Sequence, residues 1–233
     1  MRSNAVLGCV AVLVSLAAGA PLCRAQYPED FHPYVVDAGA GWTGVRGADK
    51  RNFGAFGVYQ AGGGFALTSA RPEVPSDDAE NPTVRHWNVF VKGEFMYGQS
   101  DLTELAVQQI INSNPQNPSL LSATTGKGKF YSTTLGPRVQ YSWRWFSMYG
   151  QGGLGWLRRS IDLTGMTTAG TVLQPNSPSI FAQSGNSGAF QGTFGIAAGG
   201  KGVRAFVDIG LLQGFAINHG TMLAPILSGG VRW

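Results

Sequence analysis

The sequence predicts an all-β chain, an antiparallel eight-stranded transmembrane β-barrel, and three observations carry that prediction. Charged residues are only 13 % of the chain, about half the usual share in soluble domains, and Gly, at 34 of 233 residues, is roughly twice as common as average. Beyond residue 25 no apolar run approaches the ~18 residues that a membrane-spanning helix needs. A mature chain that crosses a bilayer must therefore close into a barrel, the other arrangement that satisfies every backbone polar group in lipid. The third observation is alternation with a period of two, the mark of a strand with two unlike faces.

Alternation is clearest from Trp87 to Gly98 (WNVFVKGEFMYG). There Trp87, Val89, Val91, Gly93, Phe95 and Tyr97 share one face, and Asn88, Phe90, Lys92, Glu94 and Met96 share the other. Similar segments lie at 34–44, 52–67, 128–142, 146–158, 188–199, 202–212 and 221–233, which makes eight strands in all. A soluble lipocalin-like barrel alternates too, with its apolar face turned inward. The large aromatics separate the two arrangements. Trp87 and Tyr97, like Phe146 and Trp156, stand ten residues apart on one face. Ten residues tilted by ~40° climb about 25 Å, close to the height of a lipid-facing band between aromatic girdles. Trp42, Tyr97 and Trp156 are expected to form the outer belt, and Trp87, Phe146 and Trp233 the inner one.

The connections and the two ends point the same way. Trp143-Arg144-Trp145 and Gly200-Lys201 are tight, whereas 99–127 and 159–187 are long and polar. Short periplasmic turns and longer extracellular loops are the pattern of an outer-membrane barrel. One connection departs from it: 68–83 (TSARPEVPSDDAENPT) falls where a short turn belongs and reads as an insertion. At the amino end, Arg2, the apolar stretch from Ala5 to Ala20 and the small-residue end Cys23-Arg24-Ala25 have the layout of a cleavable signal peptide. The alternative is an uncleaved anchor helix. The expected organisation is signal peptide 1–25, a short periplasmic lead-in 26–33 and the barrel 34–233. Cys9 and Cys23 both fall in the leader, so neither a disulfide nor a cysteine metal site is expected in the mature chain. Cleavage removes Arg2 and Arg24 and lowers the formal charge from +4 to +2. That balance and the scattered basic residues give no support for nucleic-acid binding. The carboxyl end, LSGGVRW, places Leu227, Val231 and Trp233 on one face and resembles the terminal signal that such barrels present to the insertion machinery.

The segments LGPRVQYSWRWFSMYGQGGLGW (135–156) and FQGTFGIAAGGKGVRAFVDIGLL (190–212) resemble the OmpA-like outer-membrane β-barrel domain family, in which a Gly-Pro-Arg strand, a tight turn and a Gly-rich strand follow in the same order. The resemblance covers roughly residues 34–233 and implies eight antiparallel strands around a narrow interior. Its motifs encode barrel geometry, so it carries over no catalytic residue. Departures are the 68–83 insertion, Pro137 and Pro225 at strand positions where a ladder bond is lost, and no peptidoglycan-binding domain after Trp233. Cell-wall tethering is therefore not expected.

With the aromatics facing lipid, the opposite parity puts Asp37, Lys92, Glu94, Arg138, Gln140, Arg204, Asp208 and Arg232 in the lumen. An eight-stranded barrel is only just wide enough for its own side chains, so these are expected to plug it through ion pairs and hydrogen bonds, which offset the cost of burying charge. The alternative is a gated polar path. His32, His86 and His219 have no metal-ligand spacing, and no metal or cofactor is expected. His219 with Thr221 is the one hydrolytic candidate, in the place where barrel lipid deacylases carry His-x-Ser. Asp101 to Glu104 begins like a capping box, and Leu102, Leu105, Ala106 and Ile110 follow at helical spacing, which predicts a short helix over 101–111. Gly62-Gly63-Gly64 and Gly199-Gly200 open no phosphate loop.

The functional expectation is a non-enzymatic barrel of the bacterial outer membrane with a structural or surface-contact role, favoured as a monomer. It would sit among outer-membrane lipids and lipopolysaccharide, with the loops 99–127 and 159–187 as its exposed material. A porin-like channel, an envelope-lipid enzyme and a soluble periplasmic barrel are the competing readings.

Overall fold

A computed structural model describes residues 33–47, 53–67, 85–113, 123–143, 146–165, 181–199, 202–215 and 222–233. The leader 1–25, nearly all of the lead-in, the 68–83 insertion, His32, His219 and Thr221 lie outside the described residues. Eight strands run β1 (Tyr34–Gly44), β2 (Ala55–Ala66), β3 (Arg85–Asp101), β4 (Ala123–Trp143), β5 (Phe146–Gly165), β6 (Phe181–Gly199), β7 (Arg204–Gly214) and β8 (Met222–Arg232). Arg46–Gly47 continues β1 in the same register along β8. Each strand pairs antiparallel with its neighbour in sequence, and β1 also pairs with β8, so the sheet closes into a barrel. The seam is finished at the terminal aromatic, where the Val36 and Trp233 amides exchange hydrogen bonds with each other's carbonyls at 3.1 and 2.9 Å.

Side-chain direction follows the sequence parity along every strand. On β3, Asn88, Phe90, Lys92, Glu94 and Met96 are buried, while Trp87 and Phe95 are exposed. The outer wall presents Val36, Leu135, Val139, Leu154, Phe194, Ile196, Val207, Ile209, Leu227 and Val231, an apolar band that only lipid covers without cost. The chain is thus an outer-membrane-type transmembrane barrel, with its greasy side outward and its charges inside. A soluble barrel would have the reverse.

Both prolines interrupt the ladder as their missing amides require. Pairing of β4 with β5 runs to Leu135↔Leu154 and resumes at Arg138↔Gln151, skipping Gly136 and Pro137. Pairing of β1 with β8 stops at Thr43↔Ile226, one step before Pro225. There the Thr43 hydroxyl donates to the Pro225 carbonyl at 2.7 Å, which supplies a side-chain bond beside the gap. At Gly136 the two strands approach so closely that a Cβ would lie 2.0 Å from the Gly152 oxygen.

Two sequence expectations are corrected. The segments 99–127 and 159–187 are not loops throughout: β3 to β6 are 17, 21, 20 and 19 residues long, against 11 or 12 for the other four. Residues 123–127, 159–165 and 181–187 extend the wall on one side of the barrel. Their alternation is weak because the outer face there carries polar side chains. The expected helix over about 101–111 is present as α1 (Glu104–Ser113), displaced toward the carboxyl end by two to three residues. Its cap is Thr103, whose hydroxyl accepts from the Ala106 amide at 3.2 Å, the usual N-cap bond. Ala106, Val107 and Ile111 are buried while Leu105 is 72 % exposed. Starting the helix at Glu104 turns Val107, Ile110 and Ile111 toward Leu102 and Leu163, and Leu105 faces away.

Candidate functional site: the lumen and the raised wall

All eight expected lumen residues lie on inward-facing positions. Asp37, Lys92, Glu94, Arg138, Asp208 and Arg232 are buried, with Arg138 at 0 % and Asp37 at 2 % exposure. Gln140 and Arg204 are half-buried, because both stand near the end of the barrel where β4 turns into β5 and β6 into β7.

Asp37 on β1 is the hub. Its Oδ2 lies 2.9 Å from Lys92 Nζ and 3.3 Å from both Arg138 and Arg232. Lys92 also reaches Glu94 Oε2 at 2.9 Å. The amides of Gln151 and Gln191 donate to Glu94 at 3.0 and 2.5 Å, and the Thr134 hydroxyl donates to Gln191 at 2.7 Å. Arg138 extends the chain through Gln140 to Ser142. Asp208 joins separately: it accepts from the Tyr149 hydroxyl at 3.1 Å and contacts the Ser228 hydroxyl, which also lies 3.1 Å from the Gln60 carbonyl oxygen. Tyr149 links the two groups, since Arg138 and Arg232 stack on its ring at 3.7 and 4.0 Å. Three cations and three carboxylates thus lie in a bore shielded from solvent. Ion pairs hold Asp37 and Glu94, two hydroxyls hold Asp208 and ring stacking supports both guanidiniums, which offsets part of the desolvation. Asp37 Oδ1, Arg138 Nε and Arg232 Nε and Nη1 have no hydrogen-bond partner among the described residues.

Tyr149, Gln151, Gln191, Thr134, Gln60 and Ser228 were not singled out from sequence. The signal was available, because Tyr149 and Gln151 have the opposite parity to Phe146 and Trp156 on their strand, and Gln191 the opposite parity to Phe190 and Phe194. Uncharged polar residues in a Gly-rich strand simply stand out less than charges do.

The lumen is layered along its axis. Toward the turn end, Asn88, Phe90, Gln140, Ser142, Arg204 and Arg232 help line a cavity of about 40 Å³, little more than the volume of one water molecule. The ionic layer follows. Above it, toward α1, Val45, Phe56, Val58, Met96, Phe130, Leu157, Leu212, Met222 and Ile226 pack into one apolar cluster. Phe53 and Phe130 lie against Gly128 and Gly98, where a Cβ would collide with their rings, so glycines in the wall make room for aromatic rings in the bore. Higher still, Leu102, Val107, Ile111 and Leu163 bring α1 onto the raised wall.

Of the expected girdle residues, five take the outward parity of their strands, and Trp233, its Nε1 buried, also lines the cavity at the turn end. Trp42, Trp87 and Trp156 are exposed, and Tyr97, Phe146 and Trp233 are half-buried. Trp87 packs on Tyr141 with ring centroids 4.9 Å apart, and Tyr97 on Tyr131 at 5.0 Å. Each belt is therefore wider than expected by a tyrosine on β4. Among the described residues no cluster of His, Cys, Asp and Glu has the makings of a metal site. His86 lies on β3, its backbone paired with Ser142.

No family model matches the chain, and no curated protein matches it. The chain is similar in part to several solved structures. Neisserial surface protein A is 15 % identical, with a TM-score of 0.47, over 86 % of this chain and 96 % of that one. Ail, the attachment invasion locus protein of Yersinia pestis, solved with the heparin analogue sucrose octasulfate, is 13 % identical, with a TM-score of 0.45, over 87 % of this chain and all of that one. The outer membrane enzyme PagL is 10 % identical, with a TM-score of 0.40, over 84 % of this chain and 97 % of that one.

Proposed function

We propose that this protein is a non-enzymatic barrel of the bacterial outer membrane that serves envelope structure or surface contact through the raised β3–β6 wall and α1. The observation that carries this reading is the lumen itself. An ionic layer held by Asp37 and Glu94 is overlaid by an apolar cluster from Phe56 to Leu212, which favours a sealed bore over a solute path. A wall that stands above the upper aromatic belt, faced with polar side chains, is the part available to the outside. In this reading the leader 1–25 is cleaved on export and the turn end faces the periplasm. The terminal strand to Trp233 engages the insertion machinery, and lipopolysaccharide and other outer-membrane lipids surround a monomer.

The test combines fractionation with planar-bilayer recording. The protein is expected in the detergent-extractable outer-membrane fraction, with Gln26 as the amino-terminal residue and no stable ohmic conductance. Large, stable pores would favour the porin-like alternative, and recovery from the soluble periplasm would end the membrane reading.

A further inference from the structure

The outer face of the raised wall carries a feature that the sealed lumen does not explain. At the upper belt and just above it, Lys129, Tyr131, Trp156, Arg158, Ser160 and Asp162 help line an open groove of about 590 Å³. Tyr131 pairs with Arg158, and Lys129 with Ser160, so Lys129 and Arg158 are diagonal cross-strand neighbours on one face, close enough for long side chains to converge on one group. Lys129 holds Asp162 at 3.3 Å, with both side chains about 30 % exposed, a pair weak enough to exchange. Arg158 has no ion-pair partner among the described residues. Two cations and one carboxylate leave a net positive charge at the level where an outer-leaflet headgroup begins, and Phe95 and Trp156 extend the groove downward as an apolar floor.

We propose that this groove binds the phosphate-bearing headgroup of an outer-leaflet lipid. Arg158 and Lys129 take the phosphate, Ser160 and Asp162 meet hydroxyl or amine groups beside it, and Trp156 and Phe95 lie along the start of the acyl chains. A guanidinium with a neighbouring ammonium suits a phosphate that is positioned in two dimensions by the bilayer. The inference rests on the proposed outer-membrane placement with the raised wall outward.

The test uses the full chain folded in zwitterionic micelles and follows the midpoint of its heat-induced shift in gel mobility. Diphosphorylated lipid A, dephosphorylated lipid A and inorganic pyrophosphate are titrated separately. Diphosphorylated lipid A is expected to raise the midpoint, and K129Q/R158Q to need on the order of tenfold more of it for the same rise, the loss of about one charge-assisted contact. R46Q removes an exposed cation elsewhere on the rim and should respond as wild type; R158K should recover part of the response. Equal responses of wild type and K129Q/R158Q would overturn the site. Equal potency of dephosphorylated lipid A would overturn phosphate recognition, and equal potency of pyrophosphate would overturn a lipid source. A chain with no heat-modifiable form would remove the membrane placement itself, a failure separate from that of the groove.

Discussion

Asp37→Ala tests whether the lumen charges are a desolvated network. Asp37 Oδ2 is the carboxylate oxygen shared by Lys92, Arg138 and Arg232, and all four side chains are at most 5 % exposed. Removing one partner of a buried ion pair costs about 3–5 kcal/mol, because the remaining charge is left uncompensated. Here part of that cost is recovered. Lys92 keeps Glu94 at 2.9 Å, and both guanidiniums keep the Tyr149 ring, each stack contributing roughly 0.5–2 kcal/mol. A net loss of about 3 kcal/mol is expected. Reversible urea unfolding of the chain in lipid vesicles, followed by tryptophan fluorescence, measures it. Asp162→Ala breaks only the half-exposed pair with Lys129 and should cost under about 1 kcal/mol. If Asp37→Ala also cost under about 1 kcal/mol, the bore would be hydrated and the sealed-lumen account wrong.

Other consequences follow from the layering and the parity. Leu135→Arg puts a charge midway between Tyr131 and Tyr141 on the lipid face and should destabilise by about 2–4 kcal/mol, whereas Ser160→Arg, above the belt, should cost about 0–1 kcal/mol in the same vesicle assay. Leu157→Ala empties part of the apolar cluster from a fully buried position and is expected to cost about 2–5 kcal/mol. Thr103→Ala removes the cap of α1 and should cost about 1 kcal/mol, read as faster hydrogen exchange at the Ala106 amide with the barrel amides unchanged.

Strand parity was the legible part of the fold. Lys92 and Glu94 alternate with Val91 and Phe95, and only one placement suits both charges and lipid, so strand identity, lumen charges and girdle aromatics follow from that constraint alone. Strand ends were not legible. At 123–127 and 159–165 the wall has risen beyond lipid, the outer face no longer has to be apolar, and the period fades into what looks like loop. Nor could the sequence separate an ionic plug from a polar path, because the charges of the lower bore and the apolar residues of the upper bore come from the same strands at different heights. Phe56, Leu157 and Leu212 pack together across the upper bore only because the register of β2, β5 and β7 brings them together. The glycine slots for Phe53 and Phe130 depend on that register in the same way. The groove at Arg158 depends instead on the pairing of β4 with β5, which puts Lys129 diagonally beside it.

The alternation of inward and outward residues, with lipid on one side of the wall and a closed bore on the other, is open to direct measurement. Single nitroxide labels at successive positions from Val89 to Tyr97 in vesicles, read for collision with oxygen and with a water-soluble nickel complex, measure it directly. Oxygen collisions are expected to peak at Val89, Val91, Phe95 and Tyr97, with neither quencher reaching Lys92 or Glu94. Nickel access at Val91 and Phe95 would contradict that arrangement.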